Sequence, residues 1–376
     1  MKTKKEFIIS AIVITAIIMA IFLIENSKVK IDNTSLKNQT EIRLKDGKYS
    51  KAPELIGIQE WINSEPLTIE GLKGSVVLVD FWTYTCINCI RTLPYLREWD
   101  QKYSDMGLVI IGVHTPEFEF EKEYGNLLNA VKKYNIQYPV VQDNNYATWN
   151  AYRNRFWPHK YLIDTDGFIR YEYIGEGGYE ETERMIQRIL MESNPVSNVS
   201  EIVMNKISNP EGAVNVDFSR VKTPEIYLGY DFSRGNFGNK EGITPKMIVD
   251  YQFPLSISSN NLYLSGKWKN NRDNMELVSD KGSILLMYQA KTLNIVANSE
   301  SGSNAEIFLD DNYLDSTNKG IDTNIKDGKT LDGSSSLSYI HESRLYNLVS
   351  TENYGEHTIR MDIIGKGIMV YTFTFG

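Results

Sequence analysis

Cysteine is almost absent from this chain: two residues in 376, Cys86 and Cys89. That scarcity excludes a disulfide framework, and with no second pair a four-cysteine zinc site is excluded too. Histidine is also scarce, at four residues, and neither His114 nor His159 is spaced to complete a metal site. No metal and no cofactor is therefore expected. Positive charge is outnumbered, with 40 Lys and Arg against 48 Asp and Glu for a net charge of −8. Without a basic patch, nucleic acid is not an expected partner. What remains is an ordinary globular composition, 41% hydrophobic and 23% charged, with 23 tyrosines, long enough for about two domains.

The two cysteines sit in one informative place. Val76-Val77-Leu78-Val79-Asp80-Phe81-Trp82 is a short apolar run after a Gly74-Ser75 turn signal, the pattern of a strand covered on both faces. Apolar residues then recur at Ile90, Leu93, Leu96 and Trp99, which predicts a helix from Cys89 onward. A thiol at a helix start meets unpaired backbone N–H groups and the positive end of the dipole, which favour thiolate, the nucleophile of disulfide exchange. Three plainer readings stand beside this one. A structural disulfide across so small a loop would restrict the unfolded chain by roughly 2 kcal/mol, against about 3 for a 15-residue loop. A zinc site lacks ligands, and two buried free thiols would make the Cys-x-x-Cys spacing a coincidence. The strand–Cys-x-x-Cys–helix context favours redox chemistry.

The run Phe81-Trp82-Thr83-Tyr84-Thr85-Cys86-Ile87-Asn88-Cys89 resembles the thioredoxin superfamily, and in wording the extracytoplasmic TlpA/redoxin-like domain of the DipZ-type proteins. The resemblance implies a buried acid six residues before the first cysteine, where Asp80 stands, and a helix-kinking proline five after the second, where Pro94 stands. It implies a cis-proline before a central strand, packed against the disulfide, and Pro158 after Trp157 fits that place. On this basis Cys86 attacks, Cys89 resolves and Asp80 takes the proton of Cys89. Trp157, Pro158 and Trp82 are the expected substrate contacts, and His114 and Glu117 are candidates for the rim. The Ile87-Asn88 pair and Thr85 depart from the residues of thioredoxin itself, which leaves the redox potential open.

Along the chain, Lys residues at 2, 4 and 5 precede an uncharged, mostly apolar run from Phe7 to Ile24. As a helix it spans about 27 Å, close to the hydrocarbon core, so residues 1–25 are expected to be a membrane anchor with the rest outside the cytoplasm. A cleaved signal peptide is the alternative. Residues 26–51 read as a flexible tether and 52–192 as the thioredoxin-like α/β domain. Within that domain the sequence predicts a small hairpin over 61–74, a strand over 108–114, a helix over 122–134, a strand over 138–142, a helix over 147–156 and a helix over 180–190. The turn 164–167 is expected to join a hairpin. Breaker clusters at 193–195 and 208–212 place a linker over 193–222. Beyond 223, alternation at Ile359, Met361 and Ile363 and at Tyr371, Phe373 and Phe375 argues short antiparallel strands in an all-β sandwich.

That last stretch also resembles the carbohydrate-binding-like jelly-roll module of DipZ-type proteins. The resemblance implies a single-pass, membrane-anchored oxidoreductase acting on exported thiol or disulfide proteins, with a separate membrane-embedded CcdA-type thiol reductase expected as its electron donor. The reductive direction and a role in cytochrome c biogenesis belong to the same expectation. The alternative is a cell-surface glycan-binding or scaffold protein, with Trp268 or Tyr263 stacking on sugar.

Overall fold

The structure, a computed structural model, describes residues 45–193, 207–326 and 335–376. The expected anchor over 1–25, most of the tether and part of the linker lie outside the described residues. No helix among the described residues is long and apolar enough to cross a membrane.

Six strands and four helices build the first sheet and its cover. They are β1 (Trp61–Ile62), β2 (Val76–Trp82), α1 (Ile87–Tyr103), β3 (Leu108–His114), α2 (Tyr124–Lys133), β4 (Val140–Gln142), α3 (Ala147–Ala151), β5 (His159–Ile163), β6 (Ile169–Ile174) and α4 (Tyr179–Ser193). The strand order is β1-β4-β3-β2-β5-β6. β2, β3 and β4 are parallel, whereas β1, β5 and β6 join antiparallel. Every residue of β2 is buried, as its apolar run requires. Leu78 and Trp82 point into one core with Leu93, Leu96 and Trp99 of α1. Val77, Val79 and Phe81 point into the other, with Trp149 and Tyr161.

Three local expectations change. Residues 61–74 form no hairpin: Trp61 and Ile62 pair instead with Val141 and Val140 at the sheet edge. The helix expected over 147–156 is one short turn, Ala147–Ala151, because Arg153 adopts φ 53° and breaks it. The active-site helix starts at Ile87 rather than Cys89.

Beyond residue 222 the described chain is strand and turn. β7 (Ile226–Tyr227), β8 (Ile248–Tyr251), β9 (Leu262–Asn270), β10 (Met275–Leu277), β11 (Lys281–Ser299), β12 (Ser303–Leu309), β13 (Asn312–Tyr313), β14 (Asn324–Lys326), β15 (Ser335–Ile340), β16 (Arg344–Ile364) and β17 (Ile368–Phe375) form one hydrogen-bonded system. All its ladders are antiparallel. The strands are not uniformly short, since β11 has 19 residues and β16 has 21. Register shifts near Ala290 and Leu293 let that long pair bend. On its other edge β11 meets first β9 and then β17, with β10 bridging those two.

A second irregularity explains one misplaced side chain. Val296 pairs with Thr372 but Ala297 pairs with Val370, so Tyr371 is the extra residue of a bulge. Val370, Phe373 and Phe375 enter the β core, whereas Tyr371 leaves it. Its ring centroid lies 5.1 Å from that of Phe118 and 4.8 Å from that of Phe120, both on the segment after β3. Tyr227, Val296 and Leu345 complete this seam, and Ile87 and Ile90 of α1 pack against it.

Candidate active site

The loop Thr83-Tyr84-Thr85 carries the chain from β2 to α1, and all three residues are buried. Cys86 is the N-cap of α1, in extended conformation at φ −74° and ψ 113°, and its sulfur accepts the Cys89 N–H at 3.3 Å. The first turn of a helix has N–H groups with no intrahelical acceptor. Here one of them is given to the sulfur. Cys86 is half-buried, and Cys89 is buried. Burial, then the hydrogen bond and charge of Cys86, push the Cys89 thiol well above the ordinary range. The pair therefore consists of a reachable sulfur and a screened one that holds its proton.

Asp80 is 1% exposed, on the β2 face that points toward α1. Burial raises its carboxyl to about 7, with Lys160 opposing. Its Oδ1 has no hydrogen-bond partner among the described residues. Lys160, which sequence reasoning missed, is fully buried on β5 directly opposite Asp80. Its Nζ donates to the Gly175 carbonyl at 3.4 Å. Next to Gly175, Glu176 pairs with Arg91 of α1 at 3.4 Å, both side chains almost wholly buried. A lysine within the apolar run His159-Lys160-Tyr161-Leu162-Ile163 was the available signal, because an unpaired charge is excluded from a covered strand.

The peptide bond between Trp157 and Pro158 is cis. Phe81 pairs with His159, and the antiparallel register carried one step further sets Pro158 beside Trp82, at the end of β2 that leads to Cys86. Trp157 is half-buried, packs against Trp149 with ring centroids 4.3 Å apart and tilted by 38°, and donates its indole N–H to the Thr115 carbonyl at 3.1 Å. Trp82 departs from its expected place among the substrate contacts. It is 0% exposed, edge-on to His114 inside the core, and has no surface to offer a substrate.

His114 is not a rim residue either, whereas Glu117 is half-buried. His114 is fully buried, bonds Thr83 Oγ1 through Nε2 at 3.2 Å and stacks on Tyr84. Burial lowers it to about 3, so it is neutral at physiological pH. Glu117 faces Tyr227 of the β-rich region, and burial followed by the nearby Glu121 charge raises it to about 8.

Glu121 was not foreseen. Fully buried, it accepts the Thr85 hydroxyl at 2.5 Å and the backbone N–H groups of Glu117 and Phe118 at 2.5 and 2.9 Å. It ties the residue before Cys86 to the segment after β3. Glu121→Ala leaves two buried donors and one part-buried donor unpaired and is expected to lower stability by about 3 kcal/mol. Glu121→Gln, which keeps an acceptor, is expected to cost less. Urea unfolding of the two variants measures the difference.

The aromatics nominated for sugar stacking are interior. Trp268 is 0% exposed and donates to the Ser265 carbonyl at 2.9 Å, and Tyr263 is 5% exposed with its hydroxyl accepting the Ser258 N–H at 3.0 Å. Neither presents a face to a glycan. Among the described residues no cluster of His, Cys, Asp and Glu is arranged to hold a metal ion.

Comparison with known proteins follows the same division of the chain. The model of the AhpC/TSA family matches residues 50–172, and that of the Thioredoxin like C-terminal domain matches residues 223–376. Protein DipZ of Mycobacterium bovis is 32% identical over 353 residues, 93% of this chain and 46% of its own length. The chain thus spans about half the length of the DipZ relatives. Thiol-disulfide oxidoreductase YkuV of Bacillus subtilis is 31% identical over 142 residues, 38% of this chain and 95% of its own. Thiol-disulfide oxidoreductase ResA of Bacillus cereus is 30% identical over 128 residues, 34% of this chain and 71% of its own. The matches to YkuV and ResA, each covered over more than two thirds of its own length, make this chain a member of the thioredoxin-like family of thiol-disulfide oxidoreductases, and its screened and reachable thiols at a helix start accord with that membership.

Proposed function

We propose that the protein exchanges disulfides with exported proteins through the Cys86–Cys89 couple, working as a reductant outside the cytoplasm and held at the membrane by residues 1–25. The observation that carries this reading is the asymmetry of the pair: Cys86 caps the helix and is reachable, while Cys89 is sealed beside Asp80. Cys86 attacks a substrate sulfur, Cys89 displaces the substrate, and Asp80 accepts the Cys89 proton. Trp157 and Pro158 border the approach to Cys86 from the β5 side.

Residues 26–51 serve as the tether, 52–192 as the thioredoxin-like domain, 193–222 as the linker and 223–376 as a jelly-roll-like module. The all-antiparallel pairing of the last region supports that description. Reducing equivalents come from a membrane-embedded thiol reductase of the CcdA type, and apocytochrome cysteines are one fitting substrate class. A glycan role for the β module finds no support in Trp268 or Tyr263, both interior.

The test is the equilibrium potential of the Cys86–Cys89 couple against glutathione. A reductant is expected near the thioredoxin value, about −270 mV. A value near that of a strong oxidase, about −120 mV, would reverse the assigned direction.

A further inference from the structure

Lys160, Glu176 and Arg91 have no part in the exchange as proposed, yet they form a chain of charges that begins at its proton acceptor: Lys160 lies opposite Asp80, Glu176 acts on Lys160, and Arg91 pairs with Glu176. Asp80 and Lys160 are a direct cross-strand pair, which puts their Cβ atoms about 5 Å apart on one face of the sheet. Both are fully enclosed, and the carboxylate has an oxygen without a hydrogen bond. A charge in that position needs a counter-charge. Lys160 supplies one, but its Nζ also reaches the Gly175 carbonyl, and the next residue, Glu176, acts on the same ammonium while bound to Arg91.

We propose that Lys160 and Glu176 are positioning residues for the proton transfer, the Lys160 ammonium holding Asp80 in its ionised, accepting form and the Glu176 carboxylate drawing on that ammonium in the opposite sense. The inference rests on the exchange reading given above. In the step concerned, a substrate sulfur is already bonded to Cys86. Cys89 gives its proton to Asp80, and its sulfur electron pair forms the bond to Cys86 Sγ. The Cys86–substrate S–S bond breaks, and the substrate leaves as a thiolate that takes a proton from solvent. The substrate disulfide gains two electrons and the cysteine pair loses them. An Asp80 that already carries a proton cannot begin this sequence.

The other groups around Asp80 do not supply the same control. The flanking Val79 and Phe81 are apolar, and β3 places Gly112 opposite. From the start of α1 comes Cys89, with Cys86 as the cap before it, and Arg91 is engaged with Glu176. Tyr138 is also near, and burial holds its phenol well above the physiological range. Arg97 and Asp100 act on Tyr138.

The experiment reduces the full chain and mixes it with 5,5′-dithiobis(2-nitrobenzoate) in a stopped flow between pH 5 and 9. The first release of 5-thio-2-nitrobenzoate reports attack by Cys86, and the second reports resolution by Cys89. In the unaltered protein the second phase should rise as Asp80 ionises. Lys160→Met is expected to move that midpoint up by about one pH unit and to slow the second phase about tenfold at pH 7. Glu176→Gln is expected to move it down. Opposite shifts support the inference, since loss of packing alone would lower rates without displacing the two midpoints in opposite directions. Shifts of the same sign, or none while Asp80→Asn still flattens the profile, overturn it and leave the exchange reading intact. An Asp80→Asn protein with an unchanged second phase removes Asp80 from the reaction and overturns both. If Lys160→Met does not fold, Glu176→Gln decides: a downward shift supports the inference, and no shift or an upward one overturns it.

Discussion

Cys89→Ser is expected to stop turnover and leave the substrate attached to Cys86. The reachable sulfur still attacks, but the serine hydroxyl cannot displace the substrate, so the mixed disulfide accumulates. Incubating this variant with an oxidised partner should give a covalent adduct on a non-reducing gel that dithiothreitol dissolves. Cys86→Ser should form no adduct and reduce no insulin, because the remaining thiol is buried and burial holds its proton. Adducts formed equally by both variants would mean that both sulfurs are reachable, contrary to the enclosure of Cys89.

The second large effect is on stability. Asp80→Asn is expected to stabilise the protein at pH 8 by up to about 4 kcal/mol, with the gain disappearing below pH 4. The sign follows from the direction of the shift. The Asp80 carboxyl rises from 3.8 in the free residue to about 7 in the fold. Between those values the native chain binds a proton that the unfolded chain has released, so stability falls as pH rises through that window. Above pH 7 both states are ionised, and the native one carries the full cost of an enclosed charge. Asparagine has no such charge. Lys160 loses one counter-charge in the variant but keeps Glu176 nearby, which trims the gain. Guanidinium unfolding at pH 4, 6 and 8 gives the three differences. Equal differences at all three would mean that Asp80 ionises in the fold at an ordinary pH.

The features legible in the sequence were those set by short-range pattern. The run 76–82, apolar but for Asp80, announced a strand covered on both faces, and the recurrence of Ile90, Leu93, Leu96 and Trp99 after it announced α1. Pro158 was identified by resemblance. The side chains that complete the surroundings of Cys86 were harder to read, because they come from distant segments. Glu121 follows Cys86 by 35 positions, and Lys160 follows Asp80 by 80, and nothing local marks either as a partner. The misplacements of Trp82 and His114 share one cause. Aromatic and polar residues beside a reactive loop look like surface features until the neighbouring layers are known. Here α1 and the segment after β3 enclose both. Tyr371 shows a limit of alternation as evidence: a single extra residue reversed its direction without disturbing the pattern on the page.

The aromatic seam has a bearing on which proteins can be served. Ile87 and Ile90, immediately beyond the reactive sulfur, lean on Leu345, Val296 and Tyr371 instead of lying bare. One flank of the sulfur is therefore walled in by the chain's own later strands. On the proposed exchange, a substrate disulfide is therefore expected to arrive on a projecting or loosened segment and not on a broad, flat face.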